Sequence, residues 1–316
     1  MIMKRRILGN NGPKLAVVGF GAWAIGGPWE FGWGPVDDEI SIKTIRRGLE
    51  LGINWIDTAA VYGLGHSEEM VAKAIMETRN DVFIATKCGM IWDDRRRVRI
   101  HLGPKSIRNE IENSLRRLQT DHVDLYQFHW PDPETPVEES WSMMVRLKEE
   151  GKVRYIGVCN FDVPLLKRCS TIAPVQSLQP PYNLVKRQVE PEILPYCLQE
   201  GIGVIAYSPM MSGLLTGKFD LKRLAADDWR RRDRVFQEPL LSKGLAFVER
   251  LRPIAAKHKK TVGQLAVAWV NSNPAVTSSI VGARTPDQVE ENVAADFTLT
   301  EDVMDAVETA LKETVE

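Results

Sequence analysis

The 316-residue chain is poor in cysteine and has no long apolar run, and both features limit what it can be. Its four cysteines form no CxxC pair, which predicts reduced thiols and a cytoplasmic protein rather than a disulfide-linked secreted one. The longest apolar stretch, at 15–27, is glycine-rich and too short to cross a bilayer. The basic start at 1–6 leads into no apolar segment, so the sequence predicts no signal peptide and no membrane association.

Net charge is also nearly absent, because 41 basic residues stand against 42 acidic ones. This balance argues against nucleic acid or a membrane surface as a partner, although it leaves room for a local basic pocket that holds one phosphate. The content of 44% apolar and 26% charged residues is typical of a soluble globular protein. No linker, repeat or low-complexity stretch interrupts the chain, so we predict one domain over 1–316.

Several catalytic motifs are missing. The five histidines show neither HxxxH nor HExxH spacing, so no metal is predicted. Ser208 precedes Pro209 and lies in no GxSxG motif, which argues against acyl transfer or a barrel hydrolase. The stretch 19–21 lacks the third glycine of a dinucleotide-binding fingerprint, which disfavours an open doubly wound sheet, the alternative fold.

Short apolar runs rich in valine and isoleucine recur along the chain, and amphipathic helices follow them. The predicted strands lie at 17–20, 53–56, 82–86, 123–128, 153–158, 175–178, 202–206 and 277–281. Unbroken runs of this kind are typical of parallel strands buried on both faces. Eight strand–helix units predict an α/β fold, a (β/α)8 TIM barrel with an N-terminal β-hairpin and extra C-terminal helices. Ser67 is predicted to cap the second helix, and Gly151 to end a helix at 137–149.

Polar residues stand where three successive predicted strands end. Asp57 and Tyr62 follow the second strand, Lys87 follows the third, and His129 follows the fourth. Each has an ordinary structural explanation when taken alone, such as a helix cap or a solvated side chain. Catalytic residues of such barrels lie at the carboxyl ends of the strands, so we expect these four side chains to converge.

The chemistry of that cluster suits the reduction of a carbonyl group. A buried ammonium on Lys87 would lower the pKa of Tyr62, and Asp57 would supply the countercharge that keeps Lys87 protonated. His129 would donate a hydrogen bond to a substrate oxygen. The residues therefore predict a proton donor tuned toward neutral pH, facing a site where negative charge develops.

The stretch GINWIDTAAVYG at 52–63, the pair TK at 86–87 and the stretch FHWP at 128–131 resemble the aldo-keto reductases. The resemblance covers nearly the whole chain and is to the bacterial NADPH-dependent type. It implies a barrel that binds a nicotinamide cofactor and transfers hydride to an aldehyde or ketone, a small-molecule carbonyl substrate, with Tyr62 as the proton donor. Trp23 and Trp130 are implied as the substrate wall, whereas strand packing explains Trp55 equally well.

The resemblance also implies cofactor contacts, in three groups. Asn160 and Gln179 would hold the carboxamide, and Tyr207 would stack on the nicotinamide. Cys159 departs from the serine that usually precedes the asparagine. The implied pyrophosphate contacts are Ser208, Met210, Ser212, Gly213 and Lys218, and the implied adenosine-phosphate contacts are Gly282, Arg284, Gln288, Glu291 and Asn292. Arg284 and Gln288 resemble the pattern of bacterial members that use NADPH, whereas one arginine in place of two cations weakens this preference and leaves NADH as an alternative.

Some questions stay open at the level of sequence. The charged run at 227–234 is either a solvated surface or a source of arginines for the cofactor, within a long excursion before the last strand. The aromatic segment at 28–34 is either substrate wall or loop packing, and segments 90–103 and 210–240 are expected to shape the pocket. A non-catalytic, NADPH-binding redox-sensing subunit is the alternative function. The oligomeric state is open, with a monomer as one option.

Overall fold

A computed structural model describes residues 3–315 of the chain. Its strands are β1 (Arg5–Ile7), β2 (Lys14–Ala16), β3 (Val18–Gly21), β4 (Trp55–Asp57), β5 (Phe83–Cys88), β6 (Met90–Trp92), β7 (Val98–Ile100), β8 (Val123–Phe128), β9 (Val153–Cys159), β10 (Ser177–Gln179), β11 (Gly203–Ala206) and β12 (Val276–Gly282). Its α-helices are α1 (Asp38–Glu50), α2 (His66–Ile75), α3 (Pro104–Leu118), α4 (Val137–Glu149), α5 (Val163–Ser170), α6 (Ile193–Glu200), α7 (Leu240–Lys257), α8 (Val262–Ser272), α9 (Pro286–Val293) and α10 (Glu301–Thr314).

Eight parallel strands form a closed barrel in the order β3-β4-β5-β8-β9-β10-β11-β12. The barrel closes where β12 pairs with β3, with Ser279 opposite Val18. Each barrel strand overlaps one of the eight predicted runs, so the predicted TIM-barrel fold class is confirmed. The strands are buried along nearly their whole length, as the unbroken apolar runs indicated.

The antiparallel pair β1–β2 forms the predicted N-terminal hairpin. Its turn reaches the amino-terminal ends of barrel strands, where the backbone N–H of Asn10 donates to the carbonyl of Gly201 at 3.2 Å. Arg6 in β1 donates to the carbonyl of Val276, the first residue of β12, at 2.6 Å. The hairpin therefore covers one end of the barrel and leaves the opposite end, where the strands finish, for the site.

The helices lie close to their predicted positions, with one error at a cap. Gly151 follows α4 with a φ of 76°, which confirms it as the residue that ends this helix. Ser67 does not cap α2, because the helix begins at His66 after Gly65, whose φ is 110°. The Ser67 hydroxyl instead donates to the carbonyl of Ala22 at 3.0 Å, and it lies 2.9 Å from the Thr58 hydroxyl. The Ser67 hydroxyl therefore joins two loops at the carboxyl end of the barrel.

The predicted excursion between β11 and β12 consists of short 3-10 helices followed by α7 and α8. The predicted final helix corresponds to α10. Within residues 3–315, no helix is both long enough and apolar enough to cross a membrane.

Candidate active site

The four residues predicted at strand ends come together at the carboxyl end of the barrel. The ammonium of Lys87 lies 2.7 Å from an oxygen of Asp57, 2.8 Å from the carbonyl of Thr58 and 3.2 Å from the hydroxyl of Tyr62. These contacts use all three N–H donors of a protonated lysine. Because Lys87 donates to Tyr62, the phenolic hydrogen of Tyr62 stays free for another acceptor.

Short loops and strand ends fix these side chains. Asp57 is the last residue of β4, and its second carboxylate oxygen accepts a hydrogen bond from Gln179 at 2.8 Å. Tyr62 lies in the turn before α2, and its N–H donates to the carbonyl of Ala59 at 3.1 Å. The next residue, Gly63, has a φ of 64°, and a Cβ there would lie 1.7 Å from the carbonyl oxygen of Gly26. Only glycine allows the chain to pass this point with the phenol in place.

His129 approaches the phenol from the next strand. Its ring centroid lies 5.7 Å from that of Tyr62, in an edge-to-face arrangement. The backbone of His129 is held on both sides, since its N–H donates to the carbonyl of Cys88 at 2.9 Å and its own carbonyl accepts from Asn160 at 2.9 Å. The imidazole is therefore placed by main-chain contacts and is oriented toward the same volume as the phenol.

Burial and nearby charges shift the pKa values of Lys87 and Tyr62 in opposite directions. Burial disfavours the ammonium, yet Asp57 and Tyr62 together hold the pKa of Lys87 above its ordinary value. For Tyr62 burial is the stronger influence, and it raises the pKa to about 12 although Lys87 lowers it. The expectation of a phenol tuned toward neutral pH is wrong for this structure, because desolvation of the phenolate outweighs the nearby ammonium. Tyr62 is a protonated donor throughout the neutral range.

The histidine is neutral for the same physical reasons. Burial, and then the charge of Lys87, hold the pKa of His129 well below its ordinary value. A neutral imidazole carries one N–H and one lone pair, so it can still donate a hydrogen bond to a substrate oxygen.

A cavity of about 750 Å³ opens in front of this cluster. Tyr62, Asp57 and His129 line it, and Lys87 lies behind them. All the implied cofactor residues line it as well: Asn160, Gln179, Tyr207, Ser208, Met210, Ser212, Gly213, Lys218, Gly282, Arg284, Gln288, Glu291 and Asn292. Cys159 is buried and is not part of the wall formed by residues 3–315.

One part of the cavity wall is aromatic. Trp23 and Trp130, the residues implied as substrate wall, both line the cavity, whereas Trp55 is buried in the barrel and donates to the carbonyl of Ala16 at 3.1 Å. We use the term aromatic wall for Trp23, Trp29, Phe31, Trp33 and Trp229, which all line the cavity. Ring centroids within the wall lie 5.3 Å apart for Trp23 and Trp33, and 5.6 Å apart for Trp23 and Trp229. Three residues of the segment at 28–34 therefore line the cavity.

Two further segments complete this part of the wall. The hairpin of β6 and β7, within the predicted segment 90–103, contributes Met90 and Ile100. The excursion contributes Trp229, which the sequence reasoning missed. The signal for its place in the wall was a large apolar residue inside a charged run, because tryptophan is uncommon in fully solvated segments.

The charged run at 227–234 is packed in its central part, whereas Asp227, Arg232 and Arg234 are exposed. Arg230 is buried, pairs with Asp228 at 2.7 Å, and places its guanidinium 4.4 Å from the ring centroid of Trp33. Arg231 donates to backbone carbonyls within the same loop, those of Leu221, Leu224 and Ala225. Among the described residues, the cavity wall takes Trp229 and Asp233 from this run and none of its arginines.

Several implied cofactor residues are bonded to one another. The Tyr207 hydroxyl donates to the side-chain oxygen of Asn160 at 2.9 Å. Lys218 and Glu291 form an ion pair of 2.6 Å. These contacts fix the positions of side chains in two parts of the cavity wall.

The cavity fits a nicotinamide dinucleotide. Three consecutive residues, Met211, Ser212 and Gly213, have φ values of 48°, 51° and 99°, and the last two line the cavity. Such a run turns backbone N–H groups toward one side and favours an anion such as a pyrophosphate. Lys218 and Arg284 add positive charge to the same wall. Within residues 3–315, no group of three or more His, Cys, Asp or Glu side chains could hold a metal ion.

The chain matches the sequence model described as "Aldo/keto reductase family" over residues 17–312. It belongs to this family. It is 40% identical to Aldo-keto reductase YhdN of Bacillus subtilis (strain 168), over 99% of this chain and 95% of that protein. It is 36% identical to the NADH-specific methylglyoxal reductase of Escherichia coli (strain K12), over 99% of each.

Among solved structures, the glycerol dehydrogenase of Gluconobacter oxydans superposes with a TM-score of 0.89 at 40% identity. The superposition covers 98% of this chain and 95% of that one. The family and these relatives make the chain an oxidoreductase that uses a nicotinamide cofactor.

Proposed function

We propose that this reductase uses NADPH to convert aldehydes or ketones to alcohols, with Tyr62 as the proton donor. The hydrogen-bonded row Asp57–Lys87–Tyr62 carries the proposal, because it ends in a free phenolic hydrogen at the wall of the large cavity. We further propose a single domain that works in the cytoplasm, which agrees with four buried and unpaired cysteines.

The chain's own residues handle the proton. Tyr62 donates its phenolic hydrogen to the carbonyl oxygen, and Lys87 stabilises the phenolate that remains. Asp57 keeps Lys87 charged, while His129 donates its single N–H to the same oxygen and so orients the carbonyl. When it is bound, the reduced nicotinamide supplies the hydride for the carbonyl carbon.

The nicotinamide end of the cofactor site has clear donors and acceptors. Gln179 uses one N–H on Asp57, so its side-chain oxygen remains for a carboxamide. Asn160 is held by Tyr207 and by the carbonyl of His129, and it meets the carboxamide beside Gln179. Tyr207 supplies the ring on which a nicotinamide stacks.

At the other end, Arg284 with Gln288 is the proposed 2′-phosphate contact that favours NADPH. Glu291 and Asn292 are the proposed adenine contacts, and Gly282 leaves space for the adenosine. Turnover with NADH is compatible with the proposal, since the site has one arginine and the Escherichia coli relative is named NADH-specific.

The test measures NADPH and NADH oxidation with a panel of aldehydes and ketones. We expect turnover with several carbonyls and a lower KM for NADPH than for NADH. Tyr62→Phe should lower kcat by a factor of about 10²–10⁴ with near-normal NADPH affinity. Tyr196→Phe, which removes a phenolic hydroxyl from α6 at a position that does not line the cavity, is the control and should retain full activity.

Two outcomes would contradict parts of the proposal. Tight NADPH binding without turnover of any carbonyl would favour the redox-sensing subunit. Undiminished turnover by Tyr62→Phe would remove the tyrosine from the role of acid.

A further inference from the structure

The segment of residues 28–35, here called the aromatic loop, depends on side chains from other parts of the chain. The carbonyl of Pro28 accepts from Arg96 at 3.1 Å, and that of Phe31 accepts from Trp23 at 3.0 Å. Its own backbone contributes a turn in which Gly32 donates to the carbonyl of Trp29 at 2.9 Å. The loop forms neither helix nor strand, so these outside donors determine where its aromatic rings lie.

Arg284 holds the far end of the aromatic loop with both arms of its guanidinium. One terminal nitrogen donates to the carbonyl of Trp33 at 3.1 Å, and the other donates to the carbonyl of Pro35 at 2.5 Å. Gly34, between them, has a φ of 80°, a conformation that glycine adopts without strain. A planar fork that grips two carbonyls is a geometry that lysine cannot reproduce.

This grip continues toward the catalytic tyrosine through packed rings. Trp33 contacts Trp23 with centroids 5.3 Å apart, and Trp23 lies 6.3 Å from the ring of Tyr62. Trp33 also contacts the guanidinium of Arg230, which donates to the carbonyl of Ser212 at 3.2 Å. Trp33 is therefore held by three parts of the chain. These are Arg230, which is bonded to the loop of Ser212, Arg284 in the segment after β12, and Trp23 in the aromatic wall.

We propose that Arg284 is a positioning residue for carbonyl binding, and that it acts by holding the aromatic loop in the substrate wall. The inference rests on the proposed carbonyl reduction and goes beyond the cofactor contact proposed for the same side chain. A residue that only bound the 2′-phosphate would change NADPH binding and would leave carbonyl binding with NADH untouched. A residue that holds the loop changes carbonyl binding with either cofactor.

The experiment compares Arg284→Ala, Arg284→Lys and the wild type at saturating NADH and at saturating NADPH. The KM for one aromatic aldehyde is measured under both conditions. Arg46→Ala is the matched control, since Arg46 also donates to two backbone carbonyls, those of Lys73 and Ala74, on the outside of the barrel. Hydrogen–deuterium exchange of the peptide at 28–36 gives a readout that does not depend on turnover.

Arg284→Ala should raise the carbonyl KM about tenfold with both cofactors, with little change in kcat, and should speed exchange at 28–36. Arg284→Lys keeps the charge and loses the fork, so it should retain the preference for NADPH while the carbonyl KM rises. Arg46→Ala should match the wild type in both measurements.

An unchanged carbonyl KM with NADH in both Arg284 variants, together with unchanged exchange at 28–36, would overturn the inference. If the wild type reduced no carbonyl, the proposed function would fail, and the exchange measurement would still decide whether Arg284 holds the loop.

Discussion

Replacing Lys87 by methionine tests the ion pair beneath the phenol. Lys87 is 1% exposed and lies 2.7 Å from Asp57. Methionine has a similar length and is unbranched, so Lys87→Met removes the ammonium and opens little space. The carboxylate of Asp57 then stays buried with Gln179 as its remaining side-chain donor.

The expected loss of stability follows from this geometry. Two unit charges 2.7 Å apart attract by ~6 kcal/mol at an effective dielectric constant of about 20. Part of that energy offsets the desolvation of both ions. Removing one partner of a buried pair generally costs about 3–5 kcal/mol, because the other charge is left uncompensated. We expect Lys87→Met to lose stability in this range, and the double variant Asp57→Asn/Lys87→Met to recover most of it.

The assay is equilibrium denaturation in urea at pH 7 for the wild type, both single variants and the double variant. Both Lys87→Met proteins should lack activity, so the comparison of stabilities isolates the ion pair from catalysis. A free energy of unfolding for Lys87→Met equal to that of the wild type would refute the reasoning. So would a double variant in which the two losses simply add.

Three further predictions use other parts of the molecule. Gly19→Ala should cost about 1–3 kcal/mol or more in urea denaturation, because its Cβ would lie 2.1 Å from the Trp55 ring. Burial raises the pKa of Glu110 from 4.5 to about 7, so stability should fall by about 3 kcal/mol as pH rises through that window, and Glu110→Gln should flatten the profile. A flat wild-type profile would contradict this assignment. Carbonyl reduction should survive strong chelators, and its loss on chelation would contradict a metal-free site.

The barrel and its four central residues were predictable because their signals are local. Unbroken apolar runs marked the strands, and parallel strands necessarily bring their carboxyl ends to one face. The convergence of Asp57, Tyr62, Lys87 and His129 could therefore be predicted without any knowledge of side-chain geometry.

The predictions that failed depend on contacts between residues that lie far apart in the sequence. The sequence shows that Lys87 and Tyr62 approach each other, but the pKa of Tyr62 depends on how completely the phenol is dehydrated. The cap predicted at Ser67 failed because α2 begins one residue before it, and the Ser67 hydroxyl instead donates to the carbonyl of Ala22 and contacts the Thr58 hydroxyl. Arg284 and Arg230 both contact Trp33, and these contacts depend on how the loop of Trp33 folds. No local sequence pattern predicts that fold.

The ion pair of Asp57 and Lys87 and the aromatic wall lie on different kinds of secondary structure. Asp57 and Lys87 stand on barrel strands, whereas Trp33 and Trp229 stand on loops held by a few side-chain contacts. A mutation in such a loop leaves the strands that carry Asp57 and Lys87 in place. Descendants of this enzyme can therefore change their substrate range by drift in the loops, while the reaction they perform is inherited unaltered.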